Sequence, residues 1–136
     1  MSGESSAPRR IFVEIGAGEL IDRATILDIK SERIADAAKL ANVRRELAAL
    51  APARDDVLRA SPTLVALAAE LKAVNAALWD IEDEIRLCEA RGDFGPRFIA
   101  LARAVYTTND RRYALKKAIT QACGGAIAEE KSYQGG

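Results

Sequence analysis

The chain has 136 residues, which is enough for one compact domain and too few for two. Its 20 basic and 20 acidic residues cancel, so no overall field attracts nucleic acid or an anionic membrane surface. Histidine is absent, which removes the usual general base and the usual zinc ligand, and the low aromatic content of 5% favours close helix packing over a β-sandwich. Any chemistry must come from carboxylates, Lys, Arg, Tyr or Cys.

The start of the chain, MSGESSAPRR, lacks the apolar core of a signal peptide, and no later run approaches the roughly 18 apolar residues of a membrane span. Two cysteines, Cys88 and Cys123, are too few for a secreted disulfide scaffold, so we expect reduced thiols. We therefore predict a cytoplasmic protein without a membrane span and a disordered N-terminus over residues 1–9.

The first predicted element is IFVEI, residues 11–15, which is rich in β-branched residues and is followed by Gly-Ala-Gly. This composition predicts a short N-terminal strand or an extended arm, after which the glycines only turn the chain. The pattern then becomes helical and predicts a first helix at about 18–35. Its apolar residues wrap widely around the helix, which predicts either a central position or a dimer contact.

A second apolar stripe predicts a helix at about 37–50. Its phase breaks from that of the first stripe near Asp36, which can cap a new helix, although one bent helix would also fit. Residues 51–60, which include Pro52, are predicted to form a connector to the next helix.

The clearest pattern is a heptad seam in the second half of the chain. Ser61 and Pro62 supply an N-cap and a first-turn proline, and Gly92 supplies a left-handed stop, which predicts a helix at 62–91. After a short turn, a second seam predicts a helix at 96–123. The seam residues are Leu64, Leu67, Leu71, Val74, Leu78, Ile81, Ile85 and Cys88 in one helix, and Phe98, Leu101, Val105, Thr108, Arg112, Leu115, Ile119 and Ala122 in the other.

Because the connecting turn is short, the two long helices are predicted to pair antiparallel in a single register, with Cys88 facing Phe98. The two shorter helices form a smaller hairpin in the same way. The sequence therefore predicts an all-α fold in which antiparallel hairpins form a four-helix bundle-like domain over residues 10–125, or a dimer that completes such a bundle. Residues 126–136 are predicted to be a C-terminal tail.

Two adjacent layers of the long hairpin are polar, at the level of Thr108 and Arg112. Helical spacing brings further polar and aromatic side chains to the same level. The candidate site consists of Asn75, Trp79, Asp80, Glu82, Thr108, Asn109, Arg111 and Arg112. A guanidinium near an apolar seam requires a carboxylate, and Asp80 or Glu82 is the predicted partner of Arg112.

This polar layer has three explanations. It can fix the register and the choice of partner helix at some loss of stability. The residues TTND can instead interrupt the helix, with Asn109 ending one segment and Asp110 starting the next. Alternatively, the layer is a ligand or partner site, with Trp79 as a stacking wall and Arg111 or Arg112 holding an anionic group. The carboxylates of LWDIEDEIR are mostly solvated surface, and no metal site, cofactor or catalytic residue is predicted.

Four blocks of the sequence are distinctive: GELIDRATILDIKSERI, LWDIEDEIR, DFGPRFIALARAVYTTNDRR and EEKSY. Together they resemble a family of small uncharacterised bacterial proteins that is associated with polysaccharide and glycosyltransferase gene neighbourhoods. The resemblance extends from about Ile11 to Tyr133. The chain differs at Arg23 and Ala24, where a lysine and a larger apolar residue are expected, and Ala24 would thin the core of the first hairpin. The resemblance implies an accessory role in cell-surface polysaccharide biosynthesis and no named activity.

Two functions fit these observations. The first is a non-enzymatic helical accessory or interaction protein that forms a homodimer or binds a helical protein partner. The alternative is a protein that binds an anionic small molecule, such as a nucleotide or sugar phosphate, or an acidic, magnesium-dependent all-α hydrolase. Neutral charge and scattered arginines predict no nucleic-acid partner.

Overall fold

A computed structural model describes residues 7–124 of the protein. Four helices make up most of this range: α1 (Ala17–Arg33), α2 (Ala37–Arg59), α3 (Pro62–Arg91) and α4 (Pro96–Ala122). No strand occurs between residues 7 and 124, so the predicted all-α fold is confirmed. The predicted C-terminal tail, residues 126–136, and residues 1–6 of the predicted disordered N-terminus lie outside the described residues.

Residues 8–15 lead towards α1 as an exposed arm that forms neither helix nor strand. Of the two alternatives predicted for residues 11–15, the strand is therefore wrong, and the segment is an arm, as the other alternative states. A strand needs a second strand beside it, and the described part of the chain supplies none. Ile11, Phe12 and Val13 in this arm are 77%, 79% and 75% exposed.

The helix ends follow from their local sequence. Ser61 Oγ accepts a hydrogen bond from the Thr63 amide at 3.0 Å at the start of α3. Gly92 ends α3 with φ 67°, a left-handed conformation that favours glycine. Asp36 Oδ2 accepts a hydrogen bond from the Lys39 amide at 2.9 Å at the start of α2. The first two helices are therefore separate, as the break between the apolar stripes predicts.

The second helix is longer than the sequence predicts, because α2 runs through Pro52 to Arg59 and no connector forms at residues 51–60. A proline inside a helix removes one backbone hydrogen bond and costs about 3 kcal/mol. Val57 and Leu58 nevertheless pack against the hydrophobic core. This packing holds the second half of α2 in helical form, so tertiary contacts override the local preference.

The third and fourth helices form the predicted antiparallel hairpin. Two ion pairs bridge its flank, Glu84 with Arg97 and Glu70 with Arg111. Glu70 and Glu84 are separated along α3 by the same number of residues as Arg97 and Arg111 along α4. This equal spacing is expected for antiparallel helices in one register. The hydrophobic core of the bundle consists of Ile21, Leu64, Leu71, Val74, Leu115 and Ile119.

The first helix is central, because α1 packs against α2, α3 and α4. It packs on both helices of the hairpin, and the predicted central position is therefore confirmed. The second helix is peripheral. It packs mainly on α1, and Val43 is its only buried residue.

Within residues 7–124, the ion pairs between α1 and α3 reach no further along α3 than Asp80, so α1 covers only part of the hairpin. We call residues 62–80 and 107–122 the covered half of the hairpin, and residues 81–91 and 96–106 the bare half. The last residue of α1, Arg33, reaches Asp80 at the boundary between the halves. Most seam residues of the bare half are only half-buried: Ile81, Ile85, Phe98, Leu101 and Val105.

Candidate functional site

The centre of the bundle holds a buried carboxylate. Asp22 on α1 is 2% exposed, and a lone ionised carboxylate in such a position would be strongly destabilising. Arg112 on α4 neutralises it. The Nε of Arg112 donates to Asp22 Oδ1 at 2.9 Å, and the Nη2 donates to Asp22 Oδ2 at 2.6 Å. This two-point contact orients the carboxylate and the planar guanidinium relative to each other.

Asn75 on α3 joins the same network, so three helices meet at Asp22. The Nδ2 of Asn75 donates to Asp22 Oδ1 at 2.9 Å and to Thr25 Oγ1 at 3.0 Å. Thr25 Oγ1 in turn donates to the Asp22 carbonyl oxygen at 2.8 Å. Within residues 7–124, no buried side-chain nitrogen or oxygen lacks a hydrogen-bond partner. The satisfied network favours one arrangement of α1 against the hairpin.

Lys116 adds a second cation one turn further along α4. Its Nζ lies 2.9 Å from Glu19 Oε2 and 4.0 Å from Asp22 Oδ2. The Lys116 side chain is only 10% exposed, so its pairing with Glu19 offsets the loss of hydration. The network therefore contains two cations and two carboxylates and is neutral as a whole.

The pKa of the Asp22 carboxyl lies below its ordinary value. Burial raises this pKa. The hydrogen bonds from Arg112 and Asn75 and the positive charges of Arg112 and Lys116 all lower it, and their combined effect is larger than that of burial. Asp22 is therefore ionised at neutral pH, and its contact with Arg112 is a charged pair.

Gly18 allows the start of α1 to approach the backbone of α4. A Cβ atom at Gly18 would lie 2.0 Å from the Lys116 carbonyl oxygen, which is far inside contact distance. The Gly18 amide also donates to Thr120 Oγ1 at 2.9 Å. The Gly-Ala-Gly segment, predicted only to turn the chain, thus supplies a helical residue that sets the distance between two helices.

A groove of about 190 Å³ lies beside this network, where α1 crosses the hairpin. We call it the central groove. Its lining residues are Ile26, Ile29, Asn75, Leu78, Trp79, Glu82, Asn109 and Arg112. The structure thus brings five of the candidate site residues together: Asn75, Trp79, Glu82, Asn109 and Arg112.

The other three candidate residues lie outside the lining of the central groove. Asp80 Oδ1 accepts a hydrogen bond from Arg33 Nη1 at 2.6 Å. Arg111 Nη2 lies 3.5 Å from Glu70 Oε2 on the flank of the hairpin. Thr108 is half-buried in the seam, within an unbroken α4. Because α4 is continuous here, the explanation that TTND interrupts the helix is wrong.

Sequence reasoning missed Asp22 and assigned Arg112 to Asp80 or Glu82. That assignment is wrong, because α1 and not α3 supplies the carboxylate. The sequence of the first helix did contain an indication that Asp22 is buried. Apolar residues occupy a wide part of the helix surface, which predicts that other helices cover α1 on two sides, and Asp22 directly follows Ile21 within that surface.

The central groove offers one aromatic wall and a guanidinium that is already engaged. The guanidinium of Arg33 lies 5.8 Å from the ring centroid of Trp79, a cation–π distance. Two nitrogens of Arg112 bind Asp22, and its Nη1 donates to Asn109 Oδ1 at 3.4 Å. Such a surface can hold a planar or hydrogen-bonding group, but Arg112 does not offer it an uncompensated charge.

A second groove, of about 390 Å³, lies where α1 meets α2 and α4. Its lining residues are Glu19, Asp22, Arg23, Ile26, Leu27, Lys30, Glu46 and Arg112. Its lining contains three carboxylates and three cations, so it favours neither an anion nor a cation. The part of the chain that the structure covers contains no group of three or more side chains able to hold a metal ion.

Comparison with known proteins gives a family but no function. A family model described as a family of unknown function (DUF6165) matches residues 11–136. The chain belongs to this family. No curated protein and no solved structure matches the chain. Among the described helices of this DUF6165 member, none combines the length and the apolar character needed to cross a membrane.

Proposed function

We propose that this protein is a non-enzymatic interaction module that binds an amphipathic helix of a partner protein in the bare half of its hairpin. One observation carries the proposal: the hairpin continues beyond Asp80, which Arg33 at the end of α1 reaches, and its seam there is only half-buried. The covered half contains a helix packed on the hairpin, because α1 contacts both α3 and α4 there. The bare half offers the same pair of helices without an occupant in residues 7–124.

The rows of α4 that contact α1 continue into the bare half. Thr120 accepts a hydrogen bond from α1, and Tyr106 and Ile99 lie two and three heptads before it on the same row. Tyr106 is 58% exposed and Ile99 is 48% exposed. This row of α4 is therefore apolar in the bare half.

The corresponding row of α3 is acidic. Asn75 belongs to the network around α1, and Glu82 and Glu89 follow it at heptad spacing, both exposed. A suitable partner helix therefore has an apolar stripe towards α4 and basic residues along the edge that faces α3.

The setting of this interaction is also a proposal. The resemblance to bacterial proteins near polysaccharide and glycosyltransferase genes suggests a cytoplasmic accessory protein of cell-surface polysaccharide biosynthesis. A helix of a biosynthetic enzyme or of its regulator would then be the natural partner.

Site-specific photo-crosslinking tests the proposed groove. A photoreactive amino acid replaces Tyr106 in the full chain, expressed in its native host, and a matched variant carries it at Thr107, which is exposed on the adjacent face. We expect Tyr106, and not Thr107, to give a cross-link to a helical segment of one protein. Equal cross-linking at both positions, or none at Tyr106, would contradict the proposal.

The identified partner then allows a quantitative measurement with purified proteins. Ile99→Glu places a charge in the groove and should weaken binding at least about tenfold, since a buried unpaired charge costs more than about 1.4 kcal/mol. Ala100→Glu lies one residue away on another exposed face and should bind as the unmodified chain does.

A second candidate function is binding of a nucleotide or sugar phosphate in the central groove. It rests on the convergence of Trp79, Asn75 and Asn109 at that groove. Because Trp79 is the only tryptophan, its fluorescence reports directly on this position. Titration with nucleotides, nucleotide sugars and sugar phosphates, with and without magnesium, should give a saturable change that Asn109→Ala abolishes. A flat signal with every compound would remove this candidate.

A further inference from the structure

The arm that precedes α1 carries the three most exposed large apolar side chains of the described chain. Ile11, Phe12 and Val13 are consecutive, and each is at least three-quarters exposed. A run of exposed apolar residues with β-branched side chains is typical of a segment that pairs with another strand. No strand within residues 7–124 can serve as that partner.

The order of residues in the arm suits a strand with one mixed side and one aliphatic side. The guanidinium of Arg10 lies 5.1 Å from the ring centroid of Phe12, so these two residues are in contact. In a strand, Arg10, Phe12 and Glu14 lie on one side of the backbone. The opposite side then carries three aliphatic residues, Ile11, Val13 and Ile15.

We propose that the arms of two copies of this chain pair as an antiparallel β-ribbon centred on Phe12. In that register Arg10 of each copy lies opposite Glu14 of the other, so the ribbon contains two complementary charge pairs. Parallel in-register pairing would instead place Arg10 against Arg10 and Glu14 against Glu14. The charge pattern therefore favours a second copy in the antiparallel register.

The remaining pairs of the ribbon are also favourable. Ile11 of each copy lies opposite Val13 of the other, and the two Phe12 rings meet at the two-fold axis. Gly16 joins each arm to its helical bundle. The two Ile15 positions lie about 20 Å apart along the ribbon at 3.4 Å per residue, so the two bundles leave it at opposite ends.

A two-stranded ribbon of this length has marginal stability by itself. We therefore expect a dimer whose fraction rises with protein concentration in sedimentation experiments. This dimer uses the arm and not the bare half of the hairpin. An experiment can therefore disprove the dimer without disproving the proposed helix binding, and the reverse is also true.

Charge reversal tests the register. Arg10→Glu and Glu14→Arg each place two like-charged pairs in the ribbon, and each should weaken self-association about tenfold. A mixture of the two variants restores both opposite-charge pairs in the mixed dimer. Sedimentation velocity of labelled and unlabelled variants should therefore show mixed dimers in preference to either homodimer.

Cysteine substitution tests the two-fold position. In a Cys123→Ser chain, Phe12→Cys brings two thiols to directly opposed positions and should form a disulfide dimer readily. Val13→Cys lies opposite Ile11 and should form it much more slowly. Cys88 is buried and serves in both variants as an unchanged background.

Three outcomes would overturn the proposal. The chain could be monomeric at every concentration, and the arm would then be available to pair with a sheet edge of another protein. A dimer could persist unchanged in the charge-reversed variants, which would place the contact elsewhere. Equal disulfide formation by Phe12→Cys and Val13→Cys would exclude the antiparallel register centred on Phe12.

Discussion

The two halves of the long hairpin share one heptad pattern but differ in what surrounds them. In the covered half, Leu71 is fully buried and Asp22, Asn75 and Arg112 form a satisfied polar network. In the bare half, the equivalent seam positions such as Ile85 are only half-buried. The difference shows that a heptad seam specifies which two helices pair, while a third helix decides which part of that pair becomes a core.

The same difference separates two kinds of ion pair. Arg111 pairs with Glu70 on the exposed flank of the hairpin, where such contacts contribute between about 0 and 1 kcal/mol. Arg112, the next residue, pairs with Asp22 of α1, whose side chain is only 3% exposed. Neighbouring arginines of one helix therefore differ greatly in their effect on stability.

The largest expected effect comes from Arg112→Ala, which leaves Asp22 buried beside Lys116 and without its two-point partner. We expect the free energy of unfolding to fall by about 3–5 kcal/mol, as for other buried pairs that lose one member. Arg111→Ala is the matched control and should lower it by about 1 kcal/mol or less. Urea unfolding followed by circular dichroism measures both, and similar small losses would show that Asp22 is hydrated in solution.

Truncation in the seam tests the covered and bare halves directly. Leu71→Ala removes a side chain that is 0% exposed and should lower the free energy of unfolding by about 3 kcal/mol. Ile85→Ala removes a half-buried side chain at the equivalent heptad position, and the expected loss is about 1 kcal/mol. Equal losses in thermal or urea unfolding would mean that the bare half is covered in solution, as by a partner or a second copy.

Gly18→Ala tests how closely α1 must approach the hairpin. The added methyl group would meet the Lys116 carbonyl oxygen, so α1 must shift, with an expected loss of about 2 kcal/mol. Gly95→Ala also changes a glycine at the start of a helix, but its new Cβ would approach only Asp93 Oδ1, at 3.5 Å. Its loss should stay below about 1 kcal/mol. If Gly18→Ala were as stable as Gly95→Ala, the close contact would be absent in solution.

Acid should weaken the covered half selectively. The folded-state pKa of Asp22 lies below that of the unfolded chain, so the stabilisation by its ionised form is complete above about pH 5 and is lost as pH falls through the folded-state pKa. Asp22→Asn should be less stable than the unmodified chain at pH 7. The difference between the two should narrow in denaturant titrations between about pH 5 and pH 3. A constant difference across this range would show that the pKa of Asp22 is the same in the folded and unfolded chain.

Much of the fold follows from local sequence signals. The seam from Leu64 to Cys88, together with the left-handed stop at Gly92, predicts the hairpin and its register because the connecting turn is too short for any other pairing. The extension of α2 through Pro52 could not be predicted in this way. Its helical form depends on contacts of Val57 and Leu58 with the core, which only the assembled structure supplies.

The candidate site shows the same division between local and long-range information. Helical spacing within the hairpin is sufficient to bring Trp79 and Arg112 to one level, and both line the central groove. The partner of Arg112 comes from a helix 90 residues away in sequence, and periodicity carries no information about that contact. The prediction at Asp80 failed for the same reason, because Asp80 pairs with Arg33, which also lies on α1.

Pro52 gives α2 a property that the other described helices lack. Its ring leaves the Ala48 carbonyl without the amide donor that a continuous backbone ladder would provide, so the ladder is interrupted midway along the helix. The segment before the proline carries Val43, the buried residue of α2, whereas Val57 and Leu58 after it pack against the core that α1, α3 and α4 share. Each segment therefore has its own anchoring contact, one on either side of the break in the backbone ladder.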